Sequence, residues 1–266
     1  MENLFSSAHA CIMADSCAAK VQLTRQLAQR WQQGATFSLT SVDSPQPIEI
    51  PGRPARPYLV DPRNLPRRRF NDVKGSAALL HAITHIEFNA INLALDAVYR
   101  FRDMPTGYYA DWLRVADDEA RHFVLLQNRL QAIGFGYGDF DAHNGLWDMA
   151  VRTAHDVLVR MALVPRVMEA RGLDVTPGMI DKFLSIGDRD SAEVLRIIMD
   201  EEVGHVEIGS RWFHYLCDQR QLPREQTYVS LMQQYAKGKV KPPLHRQARL
   251  AAGFSEQELQ YLEGLI

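Results

Sequence analysis

Two four-residue phrases, Glu119-Ala120-Arg121-His122 and Glu202-Val203-Gly204-His205, each set a carboxylate and an imidazole three residues apart. On a helix, positions i and i+3 lie one above the other on the same face, so each pair can address one point in space. Each phrase is preceded by another glutamate at nearly the same distance: Glu87 stands 32 residues before Glu119, and Glu169 stands 33 before Glu202. Two helix pairs, each supplying one Glu and one Glu-x-x-His, make the ligand set of a carboxylate-bridged dimetal bundle. The mixed oxygen and nitrogen field suits iron or manganese better than zinc, which favours tetrahedral sites with fewer carboxylates. Four carboxylates against two divalent ions are neutral, so the cluster can lie among apolar side chains at tolerable cost.

The elements that must position these groups read as helices with the ligands on their apolar stripes. The first stripe holds Ile83, Glu87, Ala90, Ile91, Ala94 and Val98; the second holds Val115, Ala116, Glu119, His122, Phe123, Leu126 and Leu130. Leu158, Ala162 and Glu169 share the third, and Leu195, Ile198, Glu202, His205, Gly209 and Phe213 the fourth. About one Glu-x-x-His is expected by chance in a chain of this size, so a single copy carries little weight. Salt-bridged surface residues would lie on the polar faces instead, whereas all six point to the core.

Taken in order, the 266 residues are 46% apolar with a net charge of -2, as in a globular protein whose partners are not selected by bulk charge. No apolar run is long enough for a membrane span, and the opening residues lack the pattern of a secretion signal, which points to the cytoplasm. The expected organisation is an N-terminal helical hairpin over 1–34, a proline-rich arm over 35–70, a four-helix bundle over 71–222 and a C-terminal helical extension over 223–266. Asp15 or Ser16 is the expected cap inside the hairpin and Gly34 its stop. Seven prolines between Pro45 and Pro66 exclude regular helix from the arm, which either wraps the bundle or tethers the hairpin. Its arginines, Arg53, Arg56, Arg63, Arg67, Arg68 and Arg69, are expected to face bundle carboxylates or solvent. Tracking a nucleic-acid backbone is the weaker reading at this net charge.

The bundle helices are expected over 72–102, 108–133, 146–171 and 191–219. The glycine-punctuated stretch 134–145 can span roughly 35 Å when extended, one bundle length, which suits a long crossover. Pro165 is expected to kink the third helix beside Glu169, and Gly172 to interrupt it. Thr176 and Pro177 then open a short helix to about residue 186. In the tail, Pro223 opens a helix to Tyr235, residues 239–243 form a break, and Ser255-Glu256-Gln257-Glu258 is a capping box. No strand of consequence is expected.

The phrases His85-Ile86-Glu87-Phe88-Asn89-Ala90-Ile91, Asp118-Glu119-Ala120-Arg121-His122-Phe123, Glu169-Ala170-Arg171-Gly172-Leu173-Asp174-Val175-Thr176-Pro177 and Glu202-Val203-Gly204-His205-Val206 resemble the bacterial DUF455 family from about residue 71 onward. The ligand order resembles the ferritin-like di-iron carboxylate proteins and, more distantly, the di-iron tRNA hydroxylases. The resemblance implies an all-α, ferritin-like four-helix bundle holding two iron ions, with manganese as the alternative. It implies Glu87 and His122 as terminal ligands of one metal, Glu169 and His205 of the other, and Glu119 and Glu202 as the bridging, catalytic pair. The expected function is a di-iron oxidoreductase that activates dioxygen to oxidise or hydroxylate an organic substrate, fed by an external electron donor, in a small homo-oligomer. The alternatives are ferroxidase, iron handling or peroxide removal, and a helical scaffold whose metal is structural only.

Residues near the motifs carry weaker expectations. Asp118 and Glu201 each stand four residues before a ligand histidine and either orient it or are solvated. His85 lies about 160 degrees round the helix from Glu87 and is not expected to be a ligand, although His81 and His85 both precede it. His143, His155 and His214 lack partner spacing. Tyr99, Tyr108, Tyr109 and Tyr137 include candidates for a redox-active phenol, with bundle packing as the simpler account. Cys11, Cys17 and Cys217 are odd in number and contain no Cys-x-x-Cys, so no disulfide framework or zinc ribbon is expected.

Overall fold

Apolar stripes at helical spacing dominate the chain, and the computed structural model is accordingly an all-α, bundle-type fold; it describes residues 1–40, 43–66, 70, 72–236 and 240–266. Arg67, Arg68, Arg69 and Lys239 of the sequence reading lie outside the described residues. The chain divides into two compact units, Met1–Val151 and Arg152–Ile266.

In the first unit, α1 (Leu4–Met13) and α2 (Cys17–Gln32) form the hairpin, with Asn3 capping the first and Ser16 the second. Gly34 ends it at φ +78°, a conformation that glycine adopts without strain. The helix α3 (Val73–Arg100) starts at Asp72, whose carboxylate accepts from the Gly75 N–H at 2.6 Å, and a five-residue link leads to α4 (Thr106–Ala132). So short a link makes α3 and α4 neighbours, and α1 packs on α3 while α2 packs on α4. Lys20 is wholly buried there, donating to the carbonyls of Cys11 and Ile12 and to Asn92 Oδ1 at 2.6–3.0 Å, which satisfies carbonyls at the end of α1.

The arm wraps this unit. The Gln46 N–H donates to the Tyr99 hydroxyl, the Gly52 N–H to the Ile12 carbonyl, and Trp147 Nε1 to the Glu49 carbonyl. The arm is also laced to the loop after α4 by two backbone hydrogen bonds, Val60 N–H to Ala142 O and Ala142 N–H to Tyr58 O. Arg53, Arg56 and Arg63 engage groups of the arm itself, namely the Pro57 carbonyl, the Tyr58 ring and Asp61, because the prolines fold the arm back on its own side chains. A two-residue parallel pair, β1 (Glu2–Asn3) with β2 (Phe37–Ser38), is the one sheet among the described residues.

The helix expected over 146–171 is broken. It consists of α5 (Gly145–Arg152), α6 (Val157–Leu163) and a π-helical turn over Val164–Glu169. The cause of the first break is Asp156, which caps the Leu158 N–H at 2.8 Å and takes both nitrogens of Arg220 at 2.7 and 2.8 Å. The second irregularity is at Pro165, as its missing N–H requires. The expected interruption at Gly172 and restart at Thr176 do not occur: α7 (Ala170–Ser185) runs through both, with Pro177 in its interior. Its continuous buried face of Ala170, Leu173, Ile180 and Phe183, and the ties of Arg171 and Asp174 to the tail, outweigh one absent hydrogen bond. The helix α8 (Arg189–Gln219) packs on α6, the π turn and α7; α9 (Arg224–Tyr235), α10 (Arg246–Ala251) and α11 (Glu256–Glu263) complete the second unit. The short α10 was not foreseen, and the capping box of Ser255 and Glu258 is complete.

Candidate metal centre

Inside the first unit, α3 and α4 bury two carboxylates and an imidazole beside one another. Glu87, Glu119 and His122 are respectively 4%, 1% and 0% exposed. His122 Nδ1 lies 3.3 Å from Glu87 Oε2 and 3.4 Å from Glu119 Oε2. The second distance is local, set by the i, i+3 rise of α4; the first depends on the pairing of α3 with α4.

Burial disfavours a charge on His122, but the Glu119 and Glu87 carboxylates overcome it and raise its pKa to about 11. The metal-free protein therefore keeps a proton between one imidazole and two carboxylates, where a divalent ion would be the stronger counter-charge.

In the second unit, His205 Nδ1 lies 3.4 Å from Glu202 Oε1, the same local geometry on α8. His205 is buried and the Glu202 side chain is 13% exposed. Glu169 is half-buried at the last position of the π turn. The ring of Pro165, four residues earlier, lies so close to α8 that a Cβ on Gly209 would come within 2.3 Å of its Cβ and Cγ, so that helix must carry glycine there.

Glu87, Glu119 and His122 each offer a ligand atom within the first unit, and this cluster could bind a metal ion. Its donors, two carboxylates and one imidazole, fit a divalent cation. Glu169, Glu202 and His205, the other three residues of the expected set, belong to the second unit.

The neighbouring residues resolve differently. His85 is held by the loop after α4, with Nδ1 2.8 Å from the Tyr137 hydroxyl and Nε2 3.1 Å from the His143 carbonyl; burial lowers its pKa to about 4. His81 Nε2 accepts from the Gly138 N–H, so neither histidine has its ring turned to the cluster's task. Tyr137 packs against Phe88 and Phe123, the residues that follow Glu87 and His122, and burial raises its pKa. Asp118 pairs with Arg121 at 3.2 Å, half-exposed. His155 stacks on Tyr235. Burial raises the pKa of Cys11, Cys17 and Cys217 to about 11, which keeps them thiols at neutral pH.

Sequence reading missed one group beside the expected ligands. Arg166, three residues before Glu169, is fully buried and paired with Glu258, whose glutamate was legible only as a helix cap.

A family model described as "Protein of unknown function (DUF455)" matches residues 13–260. A protein of Haemophilus influenzae described as "Uncharacterized protein" is 46% identical over 216 residues, covering 79% of this chain and 75% of its own. No solved structure matches the chain.

Proposed function

The chain belongs to the DUF455 family, and from that premise and the buried cluster we propose that it is a dimetal oxidoreductase that uses dioxygen to oxidise or hydroxylate an organic substrate. The observation that carries the reading is the buried trio of the first unit, in which His122 Nδ1 lies 3.3 Å from Glu87 Oε2 and 3.4 Å from Glu119 Oε2. The proposed metals are two iron ions, with manganese as the alternative.

When bound, two ferrous ions would together supply dioxygen with a pair of electrons. The chain's own contribution is positional and electrostatic. In this proposal Glu87 and His122 would hold one ion and Glu169 and His205 the other, and Glu119 and Glu202 would serve both. Phe88 and Phe123, whose ring centroids are 5.6 Å apart, directly follow Glu87 on α3 and His122 on α4 and would help to keep water from the proposed site. His122, whose pKa its two carboxylate neighbours raise, would release its proton on metal binding, which ties the affinity to pH. An organic substrate, an external electron donor and a small homo-oligomer complete the proposal.

Anaerobic loading with ferrous iron followed by elemental analysis tests the metal content, and oxygen uptake tests the reaction class. The proposal expects about two iron ions per chain and about one oxygen consumed per pair. Zinc alone, or one metal after ferrous loading, refutes the dimetal centre. Continued oxidation of hundreds of added ferrous ions into a soluble mineral refutes the oxygenase reading in favour of iron storage.

A further inference from the structure

Glu169 is bracketed in the sequence by two buried charged residues, and each is paired with a residue of the C-terminal segment. Before it stands Arg166, whose Nη2 donates to Glu258 Oε2 at 2.6 Å and whose Nε donates to Ser210 Oγ at 3.1 Å. After it stands Asp174, which takes Arg249 in a bidentate pair at 2.9 and 2.8 Å and also accepts from the His245 N–H at 2.9 Å.

Arg166 is wholly buried, its guanidinium carbon 4.4–4.7 Å from the ring centroids of Phe213, Tyr228 and Phe254. Glu258 is 1% exposed and also accepts from the Ser255 N–H at 2.9 Å, so the start of α11 and the π turn share one carboxylate.

A buried pair of this kind adds little net stability of its own. Removing two charges from water costs several kcal/mol each, and apolar residues of similar volume often replace such pairs with no loss. A buried guanidinium supplies direction instead, because its planar fork fixes where the side chain, and hence its stretch of backbone, must lie. The stretch in question is the π turn, the least regular helical segment of the second unit and the one that ends on Glu169. Its i→i+5 bonds, such as Ala170 N–H to Pro165 O, give it a rotation unlike that of the α-helices on either side, and Arg166 ties that turn to α11.

We infer that Arg166 and Glu258 are positioning residues for Glu169: the C-terminal segment holds the π turn in the rotation that presents this carboxylate as a metal ligand. The inference rests on the proposal that Glu169 is a ligand. It assigns to the segment from His245 to Glu258 a part in metal binding, although it contributes no ligand itself.

The test uses the full chain and Co2+ alone as the probe, under nitrogen, with uptake followed by equilibrium dialysis and by the visible absorption of the bound ion. The variants are Glu258→Gln, the volume-matched pair Arg166→Met with Glu258→Leu, and Ser210→Ala, which removes only the Nε partner. The double variant avoids an unpaired buried charge and is expected to melt close to the wild type. The wild type should bind about two Co2+ per chain. Glu258→Gln and the double variant should retain one position and weaken the other by about 10- to 100-fold, with altered cobalt bands, as loss of groups that orient a ligand does. Ser210→Ala should weaken the same position by less. Two unchanged positions with an unchanged cobalt spectrum in folded double variant or in Ser210→Ala would overturn the inference alone. Fewer than two Co2+ in the wild type would instead overturn the dimetal reading, and this inference with it.

Discussion

Metal binding at the first unit's trio should release a proton, and the size of the effect follows from His122. Two carboxylates, 3.3 and 3.4 Å from its Nδ1, raise its pKa to about 11 from the ordinary 6.5. At pH 7 the ligand nitrogen is therefore protonated, and an entering ion must displace that proton from a site about 4 pH units more basic than the solution. The competition weakens binding by roughly 10,000-fold, or ~5 kcal/mol, relative to a deprotonated site. Affinity should then rise about tenfold for each pH unit between 7 and 9, with about one proton released per first ion bound. Titration calorimetry of anaerobic protein with Mn2+, in buffers of different ionisation enthalpy, measures both quantities. In Glu87→Gln or Glu119→Gln the imidazole loses one of its two anions, so proton release should fall below that of the wild type. An affinity independent of pH from 7 to 9, with no proton passed to the buffer, would refute the reasoning.

The proposed bridging roles predict that Glu119→Ala and Glu202→Ala each abolish uptake at both positions, whereas His122→Ala and His205→Ala each mainly weaken one; equal small losses of bound iron in all four would refute the assignment. His85 is buried neutral, its pKa lowered to about 4 against 6.5 unfolded. Between those values the unfolded chain binds more protons, so the stability this group contributes is present above pH 6.5 and is lost as pH falls through 4. The loss is about 3 kcal/mol. Denaturant unfolding at pH 7 and pH 4.5 should show a smaller pH effect in His85→Gln than in the wild type. Gly209→Ala drives a methyl into the Pro165 ring at 2.3 Å, which should lower stability by about 1–3 kcal/mol in thermal or denaturant unfolding. An unchanged melting temperature would mean that α8 and the π turn separate freely.

What the sequence determines by itself is what depends on neighbours within one helical turn. The 3.4 Å approach of His122 to Glu119, and of His205 to Glu202, follows from i, i+3 spacing. So do the caps at Asn3, Ser16, Asp72 and Ser255, each a side-chain oxygen reaching an amide three residues on. The positions of α3, α4 and α8 follow from long apolar stripes, the strongest periodic signal a chain carries. Tertiary structure decides wherever local preference is weak or opposed. Gly172 and Pro177 are stop signals on any local reading, yet α7 passes through them because its buried face and the Asp174–Arg249 pair act over 75 residues of separation. Asp156 caps α6 through the nearby Leu158 N–H, and its pairing with Arg220, 64 residues away, is set by the tertiary structure. Glu87 meets His122 across 35 residues through the packing of α3 on α4, and Arg166 meets Glu258 across 92. No periodicity encodes such pairs. They exist because a buried charge must find its partner in whatever element the fold brings beside it.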